Sequence, residues 1–225
     1  HIQEYENFCK KYNLVLIEDA AQSLGSIYPD GRSIGTVGLT GIYSLTPHKI
    51  ISTGQGGLIV TNDSKIAKSI KKIKDFGRPK PGIDLHDTMG YNFKFTDIQS
   101  VIGIEQLKKI KKRIKIKKKI FKYYKKSLKD LTNIKFYEHN FNYTSPLFVD
   151  CLLTKKNKLK KYLYDKGIGT RDMYPPLNKQ KVFNEKENFR VSNLVGKQGL
   201  WLPSSVDLTQ KEIDYVCNSI KEFYN

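Results

Sequence analysis

The sequence predicts an α/β protein: a mostly parallel sheet with helices packed on it, followed by a smaller α+β unit. Three observations carry this. Short, nearly continuous apolar runs of strand length stand at LVLIE (residues 14–18), GIYSL (41–45) and GLIVT (57–61), as in strands buried on both faces. They alternate with segments of helical period, the pattern of helices covering a sheet. Beyond residues 130–143 the pattern changes to an apolar strand, a short helix and a terminal helix.

The elements follow in order. Residues 2–12 read as a helix. Residues 63–76, DSKIAKSIKKIKDF, place Ile66, Ala67, Ile70 and Ile73 on one helical face, with Asp63 or Ser64 as its cap. Residues 78–90, RPKPGIDLHDTMG, are rich in Pro and Gly and read as a loop. One long helix is expected from 96 to 129, where Ile98, Ile102, Leu107, Ile110, Ile114, Phe121, Tyr124 and Leu128 recur near helical spacing. Thr96 and Gln99 stand in capping-box spacing at its start. The expected division is a large domain over 1–129, ending in this helix, and a small domain over 130–225. In the second, PLFVDCLL (146–153) is a strand and KKNKLKKYLYDKG (155–167) a helix stopped by Gly167. A last helix runs over 209–223, with Thr209 and Glu212 in capping-box spacing.

Composition narrows the function classes. Hydrophobic content of 39% and charged content of 28% in 225 residues are those of a globular protein with a sizeable core. No run of about 18 apolar residues exists, so no membrane helix is expected. The first residues carry no apolar core of a secretory signal. The chain opens without Met and inside a helix-like pattern, so it is expected to be part of something longer. Cys9, Cys151 and Cys217 are odd in number and far apart. That argues against a disulfide framework or a zinc site and fits a reducing cytoplasm.

The net charge of +18 raises nucleic acid as a partner. The excess is concentrated in KKIKKRIKIKKKIFKYYKK (108–126), whose lysines lie opposite a regular apolar stripe. That is the solvated face of an amphipathic helix. Arg is also the better bidentate reader of phosphate, and the stretch is nearly all Lys. Nucleic acid is therefore not the expected partner.

Four segments carry residue types suited to chemistry. In IEDAAQ (17–22), Asp19 stands at the end of a strand, where open α/β sheets bind ligands. It serves either as a helix cap or as the partner of a cationic ring nitrogen. In YSLTPHKIISTGQGG (43–57), Lys49 follows a strand within a Ser, Thr and Gly-rich loop. A nucleophilic lysine needs such partial desolvation, while a surface lysine needs nothing. Ser44, Gly54, Gly56 and Gly57 offer hydroxyl and backbone donors to a phosphate. GYNFKFTDIQSVIGIEQL (90–107) starts a capped helix. In GIGTRDMYPPLN (167–178), Arg171 is either a surface residue or a carboxylate clamp.

Taken together, EDAAQSLGS, SLTPHKIISTGQGG, GYNFKFTDIQSVIGIEQL and GIGTRDMYPPL, in this order and spacing, resemble the DegT/DnrJ/EryC1/StrS family of sugar aminotransferases over nearly the whole chain. The resemblance implies a fold-type I aminotransferase architecture, pyridoxal phosphate as cofactor and a homodimer with shared active sites. It implies transfer of an amino group, from glutamate in most members, to a nucleotide-linked keto sugar. Lys49 would form the Schiff base and shuttle the proton, Asp19 would pair with the pyridinium nitrogen, and Gln22 would lie near the phenolic oxygen. Ser44 would contact the phosphate, and Asn92 would reach the cofactor of the neighbouring subunit. Arg171 and Tyr174 resemble substrate-side residues of the small domain.

GYNFKFTDIQ is similar to members that aminate C4 of 4-keto-6-deoxy sugars, such as perosamine synthases; amination at C3 is the alternative. Some family members are dehydratases with His in place of the lysine. His48 neighbours Lys49, but counting from Ser44 and from Gly54 both place Lys49 in the lysine position. A non-catalytic scaffold of the same fold is the remaining alternative. Two positions depart from the family pattern, Gln55 where Glu is usual and Asn178 where His is usual. Family members also carry, N-terminal to the region matched here, a Gly-Thr phosphate loop and a ring-stacking aromatic that these 225 residues lack.

Overall fold

The computed structural model describes residues 1–183 and 187–225. They form two compact units, His1–Ile114 with Phe141–Leu147, and Lys115–Asn140 with Phe148–Asn225. The sequence-based boundary at 129/130 marks the end of a helix, whereas the compact units divide that helix between Ile114 and Lys115. Burial explains the difference: Ile120, Phe121, Tyr124 and Leu128, at most 3% exposed, are core residues of the second unit.

In the first unit, helix α1 (Ile2–Tyr12) ends at Asn13, which adopts a left-handed conformation with φ 52°. Strands β1 (Ile17–Asp19), β2 (Thr40–Ser44) and β3 (Gly57–Val60) form one sheet in that order. β1 and β2 are parallel, with Asp19 opposite Ile42. β3 runs antiparallel to β2, not parallel as the sequence pattern suggests. No helical crossover joins them. The Leu45 N–H bonds the Gly56 carbonyl and the Thr53 N–H bonds the Leu45 carbonyl, closing the segment into a hairpin loop.

Side chains alternate across this sheet. Asp19, Ile42, Ser44 and Ile59 share one face, and Glu18, Gly41, Tyr43 and Leu58 share the other. Within these 225 residues Ile17 is 59% exposed and Ile59 52%. Helix α2 (Ser64–Ile73) is capped by Asp63, whose side chain accepts from the Lys65 and Ile66 N–H groups. Helix α3 (Asp97–Lys108) opens with both bonds of the Thr96–Gln99 capping box.

The single long helix expected from 96 to 129 is two helices. After α3 comes a break at Lys109, then α4 (Ile110–Ser127). The Lys109 N–H reaches back three residues to the Gln106 carbonyl, a tightened last turn. The break falls where Lys108, Lys109, Lys111 and Lys112 crowd like charges onto adjacent turns.

The second unit holds a four-stranded antiparallel sheet in the order β4 (Ile134–Phe136), β5 (Val149–Leu153), β7 (Gly199–Leu202), β6 (Arg171–Asp172). Helices α5 (Lys156–Asp165), α6 (Arg190–Gln198) and α7 (Gln210–Tyr224) complete it. Val149, Cys151 and Leu153 point inward at period two and meet Leu159, Leu163, Leu200 and Ile220 in the core. Gly167, at φ 75°, ends the turn after α5, and Thr209 and Glu212 close the capping box of α7. β4, β6 and β7 carry no sequence signal, because strands of two to four residues are too short to show a period.

Candidate active site

Three of the expected residues converge on one end of the first unit's sheet. Asp19 closes β1, Ser44 closes β2 on the same face, and Lys49 lies in the loop that follows. Asp19 Oδ1 accepts the Ala21 N–H at 3.0 Å, which turns the chain sharply after β1. Its exposed side chain acts electrostatically on Lys49.

The Lys49 loop is tied down from several sides. Ile50 and Ile51, each 3% exposed, anchor it immediately after the lysine. Arg113 Nη1 donates to the Ile50 carbonyl at 3.1 Å, and Ser52 Oγ donates to the Leu45 carbonyl at 3.1 Å. Gly54 and Gly56 adopt φ of 81° and 129°, and at Gly56 a Cβ would lie 2.4 Å from the Phe95 ring. Gln99 Nε2 donates to the Gln55 carbonyl at 3.0 Å, joining the start of α3 to this turn. Ser44 Oγ hydrogen-bonds Thr46 Oγ1 at 3.1 Å.

Lys49 is consequently half-buried. Burial pushes its proton affinity below that of a free lysine, and the Asp19 charge opposes this without cancelling it. Such a lysine keeps more of its amine neutral and nucleophilic than a surface lysine does. His48, its neighbour, is exposed. Gln22 is exposed just beyond the Asp19 turn.

The other expected residues stand elsewhere. Asn92 forms an isolated bridge with Asp75 after α2 and is exposed. Arg171 and Tyr174 belong to the second unit. The Arg171 guanidinium lies 5.4 Å from the Trp201 ring centre and 5.7 Å from that of Tyr174. Trp201 in turn stacks on Phe148 at 4.1 Å, so Arg171 rests on an aromatic shelf.

The profile of the DegT/DnrJ/EryC1/StrS aminotransferase family matches residues 1–221. The chain belongs to this family. It is 31% identical to a GDP-perosamine synthase of Escherichia coli, over 100% of this chain and 62% of that protein. It is 28% identical to a UDP-4-amino-4,6-dideoxy-N-acetyl-beta-L-altrosamine transaminase of Campylobacter jejuni, over 97% of this chain and 61% of that one. Among solved structures it resembles a DegT/DnrJ/EryC1/StrS aminotransferase from Brucella abortus, with TM-score 0.88 and 24% identity, covering 99% of this chain and 61% of that one. The chain thus spans less than two thirds of the length of these relatives. Aminotransferases of the family are pyridoxal-phosphate-dependent.

At the two departures from the family pattern, the backbone carbonyl of Gln55 receives the bonds from Gln99 and Thr53. Asn178, 8% exposed, donates to the Glu187 carbonyl and to Asn193. Sequence reasoning passed over Glu18, Tyr43 and Arg113. For Glu18 a signal existed: it is adjacent to Asp19 and so points to the opposite face of the strand, and a buried carboxylate needs partners.

Proposed function

We propose that this chain carries the lysine side of a pyridoxal-phosphate site in an aminotransferase acting on a nucleotide-linked 4-keto-6-deoxy sugar. The observation that carries the reading is the coupling of half-buried Lys49 to Asp19, with Ser44 on the same sheet face. These groups fit the cofactor's chemistry: an amine held partly desolvated, a carboxylate for a cationic ring nitrogen, and a hydroxyl for a phosphate.

When bound, pyridoxal phosphate supplies the electron sink for breaking the Cα–H bond of the amino donor. Lys49 would hold the cofactor and move the proton through Nζ. Asp19 would pair with its ring nitrogen. Ser44 donates to the phosphate, Gln22 stands near the ring hydroxyl, and Asn92 serves the site of a second subunit in a homodimer. Arg171 and Tyr174 orient the substrate, with Arg171 braced by Trp201. L-Glutamate is the amino donor in this reading, and the three free cysteines agree with a cytoplasmic setting.

Amination at C4 is supported by the GYNFKFTDIQ segment and by the names of the relatives above. Exposure of His48 beside half-buried Lys49 favours the aminotransferase over the dehydratase. The test is turnover of the full chain with glutamate and a panel of 3-keto and 4-keto sugar nucleotides. Amination of a 4-keto sugar, lost in Lys49→Ala, is expected. Retained turnover in that variant rejects the assignment.

A further inference from the structure

Next to Asp19 stands a second carboxylate that nothing above uses. Glu18 is 6% exposed and points to the opposite face of the sheet. Oε1 accepts the Tyr28 hydroxyl at 2.7 Å and the Gly35 N–H at 2.7 Å. Oε2 accepts the Val37 and Gly38 N–H groups, each at 2.6 Å. All four donors are neutral, and three belong to the backbone of one short loop.

That loop lies directly against the back of the sheet. A Cβ on Gly41 would sit 1.8 Å from the Gly35 carbonyl oxygen, and one on Gly38 2.5 Å from the Leu16 oxygen. At Gly35, φ is +96° and a Cβ would meet Tyr43 Oη at 2.5 Å and Ala20 Cβ at 2.9 Å. Tyr43 Oη donates to the Ile34 carbonyl at 2.7 Å. The loop is thus fastened to β2 by Tyr43 and to β1 by Glu18, and it touches Ala20, the residue after Asp19. Ala20 is fully buried.

β1 has only three residues. The Glu18 cage anchors it one residue before Asp19, and the Ala20 contact anchors it one residue after.

We propose that Glu18 is a positioning residue. Its carboxylate clamps the 28–38 loop behind β1 and so fixes the direction in which Asp19 projects. This rests on Asp19 as the ring-nitrogen partner proposed above. Glu18 touches neither cofactor nor substrate in this assignment.

The experiment uses the full chain as wild type, Glu18→Gln and Tyr28→Phe. Glu18→Gln keeps the volume but turns an amide NH2 toward backbone N–H groups, those of Val37 and Gly38 in one orientation and that of Gly35 in the other, so the cage cannot close in either. Tyr28→Phe removes one donor and leaves the three backbone bonds. Hydrogen exchange is measured first, without cofactor. In Glu18→Gln, exchange at Gly35, Val37, Gly38 and also at Ala20 and Ala21 should rise about tenfold or more, with α7 unchanged. Binding of pyridoxal 5'-phosphate is then followed by absorbance. The dissociation constant should rise about 10–100-fold, as when the partner of a ligating residue is removed. In a double-mutant cycle with Asp19→Asn the two losses should be clearly less than additive.

Faster exchange in the loop with unchanged exchange at Ala20 and Ala21 overturns the proposal, because Glu18 is then only a folding residue. Additive losses in the cycle overturn it as well. If Glu18→Gln does not fold, Tyr28→Phe decides by the same exchange at Ala20 and Ala21. A wild type that binds no cofactor sinks the proposed function instead, and the exchange result still decides the clamp.

Discussion

Asp19 and Ser44 emerge on the same face of the three-stranded sheet, Asp19 opposite Ile42 and Ser44 two residues further along the same strand. They differ in how replaceable they are. Asp19 brings a charge, and a hydrogen bond to a charged group is worth about 1.5–3 kcal/mol. Asp19→Asn should therefore weaken cofactor binding roughly 10–100-fold. Ser44 brings one hydroxyl already shared with Thr46. Ser44→Ala should cost about 0.5–1.5 kcal/mol, or roughly tenfold at most. Cofactor titration by absorbance checks both, and an equal loss in the two variants contradicts this ranking.

Gly41 lies where the loop meets the sheet. Its missing side chain is a requirement, since a Cβ would stand 1.8 Å from a backbone oxygen. Backbone cannot rotate away as a flexible side chain does, so the loop must lift. Gly41→Ala should destabilise the first unit by at least the ~1–3 kcal/mol of ordinary overpacking. Gly31→Ala is the control: nothing lies within 4 Å there, and only its φ of +90° resists. Urea midpoints of the two variants separate the terms. Equal midpoints would mean that the close approach at Gly41 costs nothing beyond backbone strain.

Much of this arrangement was legible in the sequence, for reasons that differ by element. The caps at Asp63, Thr96 and Thr209 were readable because capping depends on residues three apart. The place of Lys49 in the loop between Ser44 and Gly54 is legible from the spacing alone, while its chemical role is the proposal above. The direction of β3 was not, because an antiparallel strand added to an otherwise parallel sheet can carry the same continuous apolar run. Nor was the break at Lys109, where the apolar stripe continues through the interruption and conceals it. Glu18 was hidden beside Asp19, because two adjacent acids in a strand look alike until the pleat assigns them to opposite faces.

The Glu18 cage also predicts an acid limb in stability. Burial pushes its carboxyl up, but the N–H donors of Gly38, Gly35 and Val37 and the Tyr28 hydroxyl outweigh it, so it lies below the usual 4.5. The unfolded chain therefore takes up this proton at a higher pH than the folded one. Stability from Glu18 is fully present above about pH 4.5 and is lost as pH falls through the folded value. Urea midpoints measured from pH 6 to pH 3 should fall for the wild type. Glu18→Gln should start lower and show a shallower limb. Parallel limbs would assign the acid sensitivity to other carboxylates.

Asp172 makes the corresponding test in the second unit. It lies next to Arg171 in the two-residue strand β6 and is held by two lysines of α5. Lys156 Nζ, with a side chain only 10% exposed, lies 3.2 Å from Asp172 Oδ1 and also donates to the Gly196 carbonyl at 3.0 Å. Lys160 bonds Asp172 Oδ2. Burial raises the Asp172 carboxyl, but the bonds and charges of Lys160 and Lys156 outweigh this, for a net fall. Removing the carboxylate strands a mostly buried ammonium. For a fully buried pair that costs about 3–5 kcal/mol, and the partial exposure of Asp172 reduces it to roughly 1–3 kcal/mol. Asp172→Ala should lower stability by that amount, and Lys156→Met introduced with it should recover most of the loss, because the unpaired charge goes too. The same ion pairs set the strand that carries Arg171, so Asp172→Ala should raise KM for the sugar nucleotide more than it lowers kcat. Lys160→Ala should do neither strongly, since the Lys160 side chain is 42% exposed and lies at the surface. A double variant no more stable than Asp172→Ala alone would show that the loss comes from β6 pairing and not from the stranded lysine.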